Sequence, residues 1–320
     1  MKKRMRFVPL ISVLILIFAS CERTFYTTDG QTWGTTYHIV YNSAKNLDEE
    51  IREELKRIDS ELSMFNPAST VSMINSGLTD SVSDDFREVF TLAKHISGLT
   101  GGMYDPTVAP LTDLWGFGRT ESGALPDSAA VAEALASVGI GDCDIDAEGK
   151  IEKKSEDTAF DFSSIAKGYG VECIGRLLER SGCSDYLVEI GGEILSRGHN
   201  PKGKNWRIQL DAPAAGNSHT RMSVLELDEE RTAIATSGNY RRFRSDEEGR
   251  QLGHTISPVT GYPVQSSIAS ATVFASDCAT ADALATACMA LGDTIEVKRI
   301  LSATGTHGIM VTADGTVAEY

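Results

Sequence analysis

Leu47, Ile51, Leu55, Ile58 and Leu62 recur at spacings of three and four behind Asp48, Glu49 and Glu50. That pattern predicts an amphipathic helix whose acidic first turn suits the positive end of the helix dipole. Before it, Thr35 to Tyr41 is rich in β-branched and aromatic residues and predicts a strand, preceded by a polar tether to about Asp29. Ser83 caps a second predicted helix that lines up Phe86, Val89, Phe90 and Ala93 and ends at Gly101-Gly102. Asp127 opens an alanine-rich helix to about Val138, and Ser163 to Arg180 reads as another, stopped by Gly182. Strand composition gathers later, in Tyr186 to Ile190, Trp206 to Leu210, Met222 to Leu227, Ile268 to Phe274 and Gly308 to Thr312. Helices mainly early and strands mainly late predict an α+β fold in one large domain, with two lobes left open by its length. No repeat and no Pro/Ser-rich linker divides the chain.

The first residues stand outside this pattern. Lys2-Lys3-Arg4-Met5-Arg6 is followed by an apolar run from Phe7 to Phe18 and then by Ala19-Ser20-Cys21. A basic segment, a short apolar run and small residues are the order of a secretory signal. The run is too short to span a bilayer, which takes about 20 residues. Phe18-Ala19-Ser20-Cys21 resembles the lipobox of bacterial lipoproteins. The expected organisation is a signal peptide over residues 1–20, a lipidated tether over 21–29 and a catalytic domain over 30–320. Such a chain is a periplasmic lipoprotein, held at the inner or outer membrane by acyl chains on Cys21.

Composition narrows the function. With 41% hydrophobic and 23% charged residues, the chain can bury a core. Its formal charge of −15 becomes more negative once the basic residues before Cys21 are removed. Nucleic-acid phosphates are repelled by such a surface, so DNA and RNA are excluded as partners. Cys143, Cys173, Cys183, Cys278 and Cys288 are odd in number and lack metal spacing, and the six histidines are scattered. Neither a disulfide framework nor a structural zinc is implied, and small buried hydrophobes are the expected role, with oxidation of one pair left open.

Familiar phosphate, dinucleotide, zinc-protease and nucleophile-elbow motifs are absent. Four dense segments remain. Gly102 to Leu111, running into Leu114-Trp115-Gly116-Phe117-Gly118, combines a carboxylate, two prolines and aromatics, which suits either an Asp-Pro turn over a core or a rigid cleft for a flat ligand. Asp161 to Gly170 joins a strand end to a helix start with Ser163 and Lys167, a place for an anion or an ordinary capped helix. Ala235 to Arg244 carries Arg241, Arg242 and Arg244, a positive island in an acidic chain, and leads to His254-Thr255-Ile256-Ser257-Pro258. His254 suits a general base there, although a lone histidine is more often structural. In Ser276 to Ala287, Asp282 and Thr286 are one helical turn apart, a carboxylate and a hydroxyl of the kind Mg²⁺ takes.

In this order, D-P-T-V-x-P-L with L-W-G-F-G, S-S-I-A-K-G-Y, G-G-E-I at Gly191 to Ile194, S-G-N-Y, H-T-I-S-P and A-D-A-L-A-T resemble the ApbE family over roughly residues 30–315. The family consists of FAD:protein FMN transferases. The resemblance implies an α+β, tunnelling-fold-like domain with mixed or antiparallel sheets flanked by helices. It also implies Mg²⁺-dependent cleavage of FAD, with FMN attached by a phosphoester to Thr or Ser of acceptor subunits such as those of Na⁺-pumping quinone reductase or Rnf complexes, and AMP released. Asp282 and Thr286 would bind Mg²⁺ with the Ala166 carbonyl, and Ala285 in the same shell. Flavin contacts would come from Trp33, Phe65, Met103, Tyr104, Asp105 and Ile256, with Ser163, Lys167 and Tyr169 nearer the metal. For the chemistry, His254 is the expected proton acceptor, and Lys167 or an arginine of the Arg241–Arg244 group is expected to offset developing charge. Two positions depart from the family pattern: Trp33-Gly34-Thr35 replaces Met-Gly-Thr, and Phe65 stands where Tyr is frequent, without its hydroxyl. An FAD pyrophosphatase giving FMN and AMP, and a lipid-anchored flavin-binding protein without turnover, are the alternative readings.

Overall fold

The computed structural model describes residues 24–119, 124–211, 221–228, 230–238, 243–245, 249 and 251–320; the expected signal peptide, Cys21, Arg241 and Arg242 lie outside them. Among the described residues, eight strands form one antiparallel sheet in which spatial order follows chain order. They are β1 (Thr24–Thr32), β2 (Thr35–Ser43), β3 (Tyr186–Ile190), β4 (Glu193–Arg197), β5 (Thr232–Gly238), β6 (Ile268–Ala275), β7 (His307–Thr312) and β8 (Val317–Glu319). The helices are α1 (Asp48–Leu62), α2 (Thr70–Asn75), α3 (Asp84–Leu99), α4 (Ala109–Leu114), α5 (Ser128–Ala136), α6 (Ala166–Arg180), α7 (Cys278–Leu291) and α8 (Thr294–Thr304). Six helices are inserted between β2 and β3 and two between β6 and β7, so the α+β expectation holds and one sheet spans the two lobes left open.

Period-two alternation explains the layers. Ile39, Tyr41, Val188, Ile190, Leu195 and Ala233 pack in the core beneath the helices. Val40, Leu187 and Ile234 point the other way, against Trp206, Ile208 and Leu210. The latter belong to a two-stranded ribbon, Arg207–Asp211 with Arg221–Glu226, and the residue before it. Both faces of the sheet are therefore covered.

Three local outcomes differ from the sequence-based expectation. Residues 24–29, expected as tether, form part of edge strand β1: Thr28 is buried and Tyr26 stacks on Tyr41 at 5.7 Å. Pairing with β2 sets Tyr26, Thr27 and Thr28 opposite Tyr41, Val40 and Ile39. The helix expected from Ser163 starts at Ala166, because Asp161 accepts the Ser163 N–H and closes a 3₁₀ turn over Phe162–Ser164. Ile165, at φ −149°, then breaks the run. The six-residue helices α2 and α4 are too short to carry a periodic signal and were not expected, and α8, which buries Val297, Ile300 and Leu301 at helical spacing, was not expected either. The five described cysteines are buried, the small-hydrophobe role that the sequence suggested.

Candidate active site

Helix α6 begins without a side-chain cap from its own N-cap residue, Ile165. Free N–H groups at a helix start attract an anion. Asp282 of α7 supplies one: its Oδ2 accepts the Gly168 N–H at 2.9 Å, and the residue is 2% exposed. Oδ1 makes no hydrogen bond with other described residues. The two helices come this close because residue 168 has no side chain: a Cβ there would lie 2.2 Å from the Cys278 carbonyl oxygen and 2.6 Å from the Asp282 Cβ. The Gly168-Tyr169-Gly170 stretch is thus a packing device, and the indole of Trp33 lies over Gly170.

Lys167 stands between two buried carboxylates. Its Nζ is 2.6 Å from Glu193 Oε1 and 3.7 Å from Asp282 Oδ2. Burial opposes the ammonium, but Asp282 and Glu193 outweigh it and hold the lysine above its ordinary pKa. Burial, partly offset by Lys167, pushes Glu193 up to about 7. Glu193 Oε2 is buried and has no hydrogen-bond partner. Glu193 is the residue whose role the sequence did not reveal. The available signal was an acid directly after the Gly191-Gly192 turn, at the start of a strand whose neighbours are apolar. Both glycines take positive φ, 63° and 102°, as a two-residue hairpin turn requires.

One turn along α7, Thr286 Oγ1 lies 3.1 Å from Ser237 Oγ of β5, and Ala285 beside it is fully buried. Tyr104 is 1% exposed and its hydroxyl accepts from Ser164 Oγ at 3.1 Å. Burial, reinforced by the charge of Asp282, raises the Tyr104 pKa against that hydrogen bond. Asp105 is turned into its own loop: Oδ1 accepts the Thr107 N–H and hydroxyl at 2.8 and 2.6 Å, and Oδ2 accepts the Ile140 N–H at 2.8 Å. Met103 is half-buried on the same loop.

The remaining expected residues lie in three places. Ser163 is exposed, with its Oγ 4.0 Å from Met64 Sδ, and Phe65 beside Met64 is 61% exposed. Trp33 and Asn66 line a cleft of about 490 Å³ with Tyr37, Leu55 and Lys56. The indole Nε1 of Trp33 is buried without a partner. Ile256 is buried with Leu111, Trp115 and Phe117, and His254 meets Phe117 edge-on at 6.4 Å. Arg244 ties this cluster by donating to the Trp115 carbonyl at 2.8 Å. Tyr169 turns away from Lys167, its hydroxyl 2.7 Å from Asp85 Oδ1 and 2.9 Å from Glu88 Oε2 of α3. The fold therefore unites Lys167, Asp282 and Glu193 at the start of α6, whose first residue is Ala166, sets Thr286 one turn from Asp282, and does not bring the Tyr169 hydroxyl to them.

No group of three His, Cys, Asp or Glu among the described residues is arranged to hold a metal. The donors near the α6–α7 contact are of another kind: the Asp282 carboxylate, with the Thr286 hydroxyl one turn along α7. Such hard oxygens, with few protein ligands, fit Mg²⁺, which keeps water or phosphate in its other positions. Asp282 Oδ1, which makes no hydrogen bond with other described residues, is left available to a cation.

Residues 33–317 match the model of the ApbE family. The chain is 36% identical over 302 residues to an FAD:protein FMN transferase of Vibrio cholerae, covering 89% of this chain and 87% of that one. It is 34% identical over 299 residues to an FAD:protein FMN transferase of Haemophilus influenzae, covering 88% and 85%. The solved structure of a flavin transferase ApbE from Vibrio cholerae superposes with a TM-score of 0.82 at 32% identity, covering 93% of this chain and 97% of that one.

Proposed function

Because this chain belongs to the ApbE family and is an FAD:protein FMN transferase, we propose that it uses Mg²⁺ to split FAD and to link FMN to a Thr or Ser hydroxyl of an acceptor protein, releasing AMP. The observation that carries the finer reading is the buried Asp282 carboxylate at the start of α6, beside Lys167 and one turn from Thr286. Asp282, Thr286 and the Ala166 carbonyl would hold the ion. When bound, Mg²⁺ polarises phosphoryl oxygens and offsets the charge of the departing AMP.

The protein's own groups do the rest. Trp33 offers a broad face for a flavin ring, with Phe65, Met103, Tyr104 and Ile256 as further apolar contacts. Asp105 holds the Met103–Tyr104 loop in shape through its three hydrogen bonds. Lys167, fixed by two carboxylates, meets charge developing on the phosphoryl group. Tyr169 anchors α6 to α3 and takes no part in this step. His254 accepts the proton of the attacking hydroxyl at an imidazole nitrogen as the phosphoester bond to FMN forms and the bond to AMP breaks.

The acceptor belongs to membrane redox complexes of the Na⁺-pumping quinone reductase or Rnf kind. The lipobox-like Phe18 to Cys21 supports a periplasmic enzyme anchored by lipid at Cys21. None of the described helices is long and apolar enough to cross a membrane.

Incubation with FAD, Mg²⁺ and an acceptor subunit, read by mass spectrometry, tests the reaction. An FMN adduct on a Thr or Ser with AMP in solution is the expected result. Free FMN and AMP without an adduct overturn it in favour of hydrolysis, and intact FAD in favour of binding alone.

A further inference from the structure

Two carboxylates and one ammonium meet at the α6–α7 junction, and their distances are unequal. Lys167 Nζ sits 2.6 Å from Glu193 Oε1 and 3.7 Å from Asp282 Oδ2. Asp282 Oδ2 is already engaged by the Gly168 N–H, so the lysine approaches a carboxylate that the helix start has partly satisfied. Glu193 has no competing donor: Lys167 is the single hydrogen-bond partner of its side chain among the described residues, and Oε2 has none. It is held rigidly, 2% exposed, as the first residue of β4 after the Gly191-Gly192 turn.

An untethered ammonium beside a buried carboxylate closes on it, because a carboxylate only 3% exposed attracts more strongly than one in open water, even with the lysine side chain 33% exposed. A lysine closed on Asp282 would fill the position a divalent cation needs. We propose that Glu193 is a positioning residue that draws the Lys167 ammonium aside and so keeps the Asp282 carboxylate open to the metal. This rests on the reading of Asp282 as a Mg²⁺ ligand. It assigns the buried acid of the G-G-E-I turn to control of the lysine, with no direct contact to the ion.

The experiment is Mn²⁺ binding to the full chain without FAD, followed by electron paramagnetic resonance at about pH 8, on the alkaline side of the raised Glu193 pKa. Wild type, Glu193→Gln, Lys167→Met, the double variant and Asp282→Asn are compared. Glu193→Gln is expected to weaken Mn²⁺ about tenfold, the lower end of the range for groups that orient metal ligands. Lys167→Met is expected to restore binding in the Glu193→Gln background, since the competing ammonium is gone. That rescue is a coupling a misfolded variant would not produce. An equal loss from Glu193→Gln with and without Lys167 overturns the proposal, for Glu193 then acts by its charge or as a ligand. Unchanged binding in Glu193→Gln overturns it too, while Asp282→Asn abolishes binding and leaves the metal reading intact. Wild-type binding by Asp282→Asn overturns the metal reading itself and this proposal with it.

Discussion

Asp282 serves two masters, as a cap for α6 and as a proposed metal ligand, and substitutions can separate them. Asparagine keeps an oxygen to accept the Gly168 N–H at the same place but carries no charge. Asp282→Asn should melt within a few degrees of wild type, yet lose Mg²⁺-dependent transfer by about 100-fold or more, in line with removal of one key electrostatic group. Thermal melting and flavinylation assays check the two halves. His254 makes an independent claim. If it takes the acceptor's proton, His254→Ala should remove the acidic limb from the pH–rate profile of transfer, and a profile of wild-type shape excludes it as the base. Asp282 and Thr286 were legible in the sequence because their relation is local, four positions on one helix. Glu193 was not, because its partner Lys167 is 26 positions away and only the fold joins them.

At the scale of elements, the α6–α7 contact is the joint on which the site depends. Gly168→Ala pushes a methyl into the Cys278 carbonyl and the Asp282 Cβ, neither of which is the loose end of a flexible chain. It should cost about 1–3 kcal/mol, typical of overpacking, and should lower Mg²⁺-dependent activity along with stability. Urea titration and a transfer assay read both. The opposite flank of α6 is tied to α3 by Glu88, whose carboxylate accepts from Arg176 and Tyr169. The Arg176 hydrogen bond holds Glu88 below its ordinary value near 4.5. A lowered carboxylate pKa adds stability above the unfolded-state value and loses it as pH falls through the folded one. Glu88→Gln should therefore be less stable than wild type at neutral pH, by no more than about 1 kcal/mol for so exposed a pair, and equal to it in acid well below pH 4.5. Strong amphipathic helices such as α1 and α3 were legible from periodicity. The break at Ile165 was not, since it arises from an Asp161 side chain closing a turn rather than from any apolar pattern.

For the whole molecule, charge sets how a substrate arrives. FAD carries a dianionic diphosphate, and the chain has a formal charge of −15. At saturating Mg²⁺, kcat/KM for FAD should rise as ionic strength increases toward 0.15 M, where the screening length falls to about 8 Å. A falling value in stopped-flow or steady-state measurements would point to a local positive field that dominates the approach. The fold class was legible from the order of helices and strands, but the sheet's extent was not: Phe25 and Tyr26 suit a strand, yet Asp29, Gly30 and Gln31 after them read as a polar tether. That strand has a mechanical consequence. Its first described residue, Thr24, is already paired with Ser43 in the sheet and stands three positions after Cys21. With acyl chains at Cys21, those three steps of backbone reach about 10 Å at most, little more than the depth of one headgroup layer. The enzyme would then be moored close by its margin rather than floating on a leash, and the height of its site above the lipid would be set by the folded domain and not by a linker.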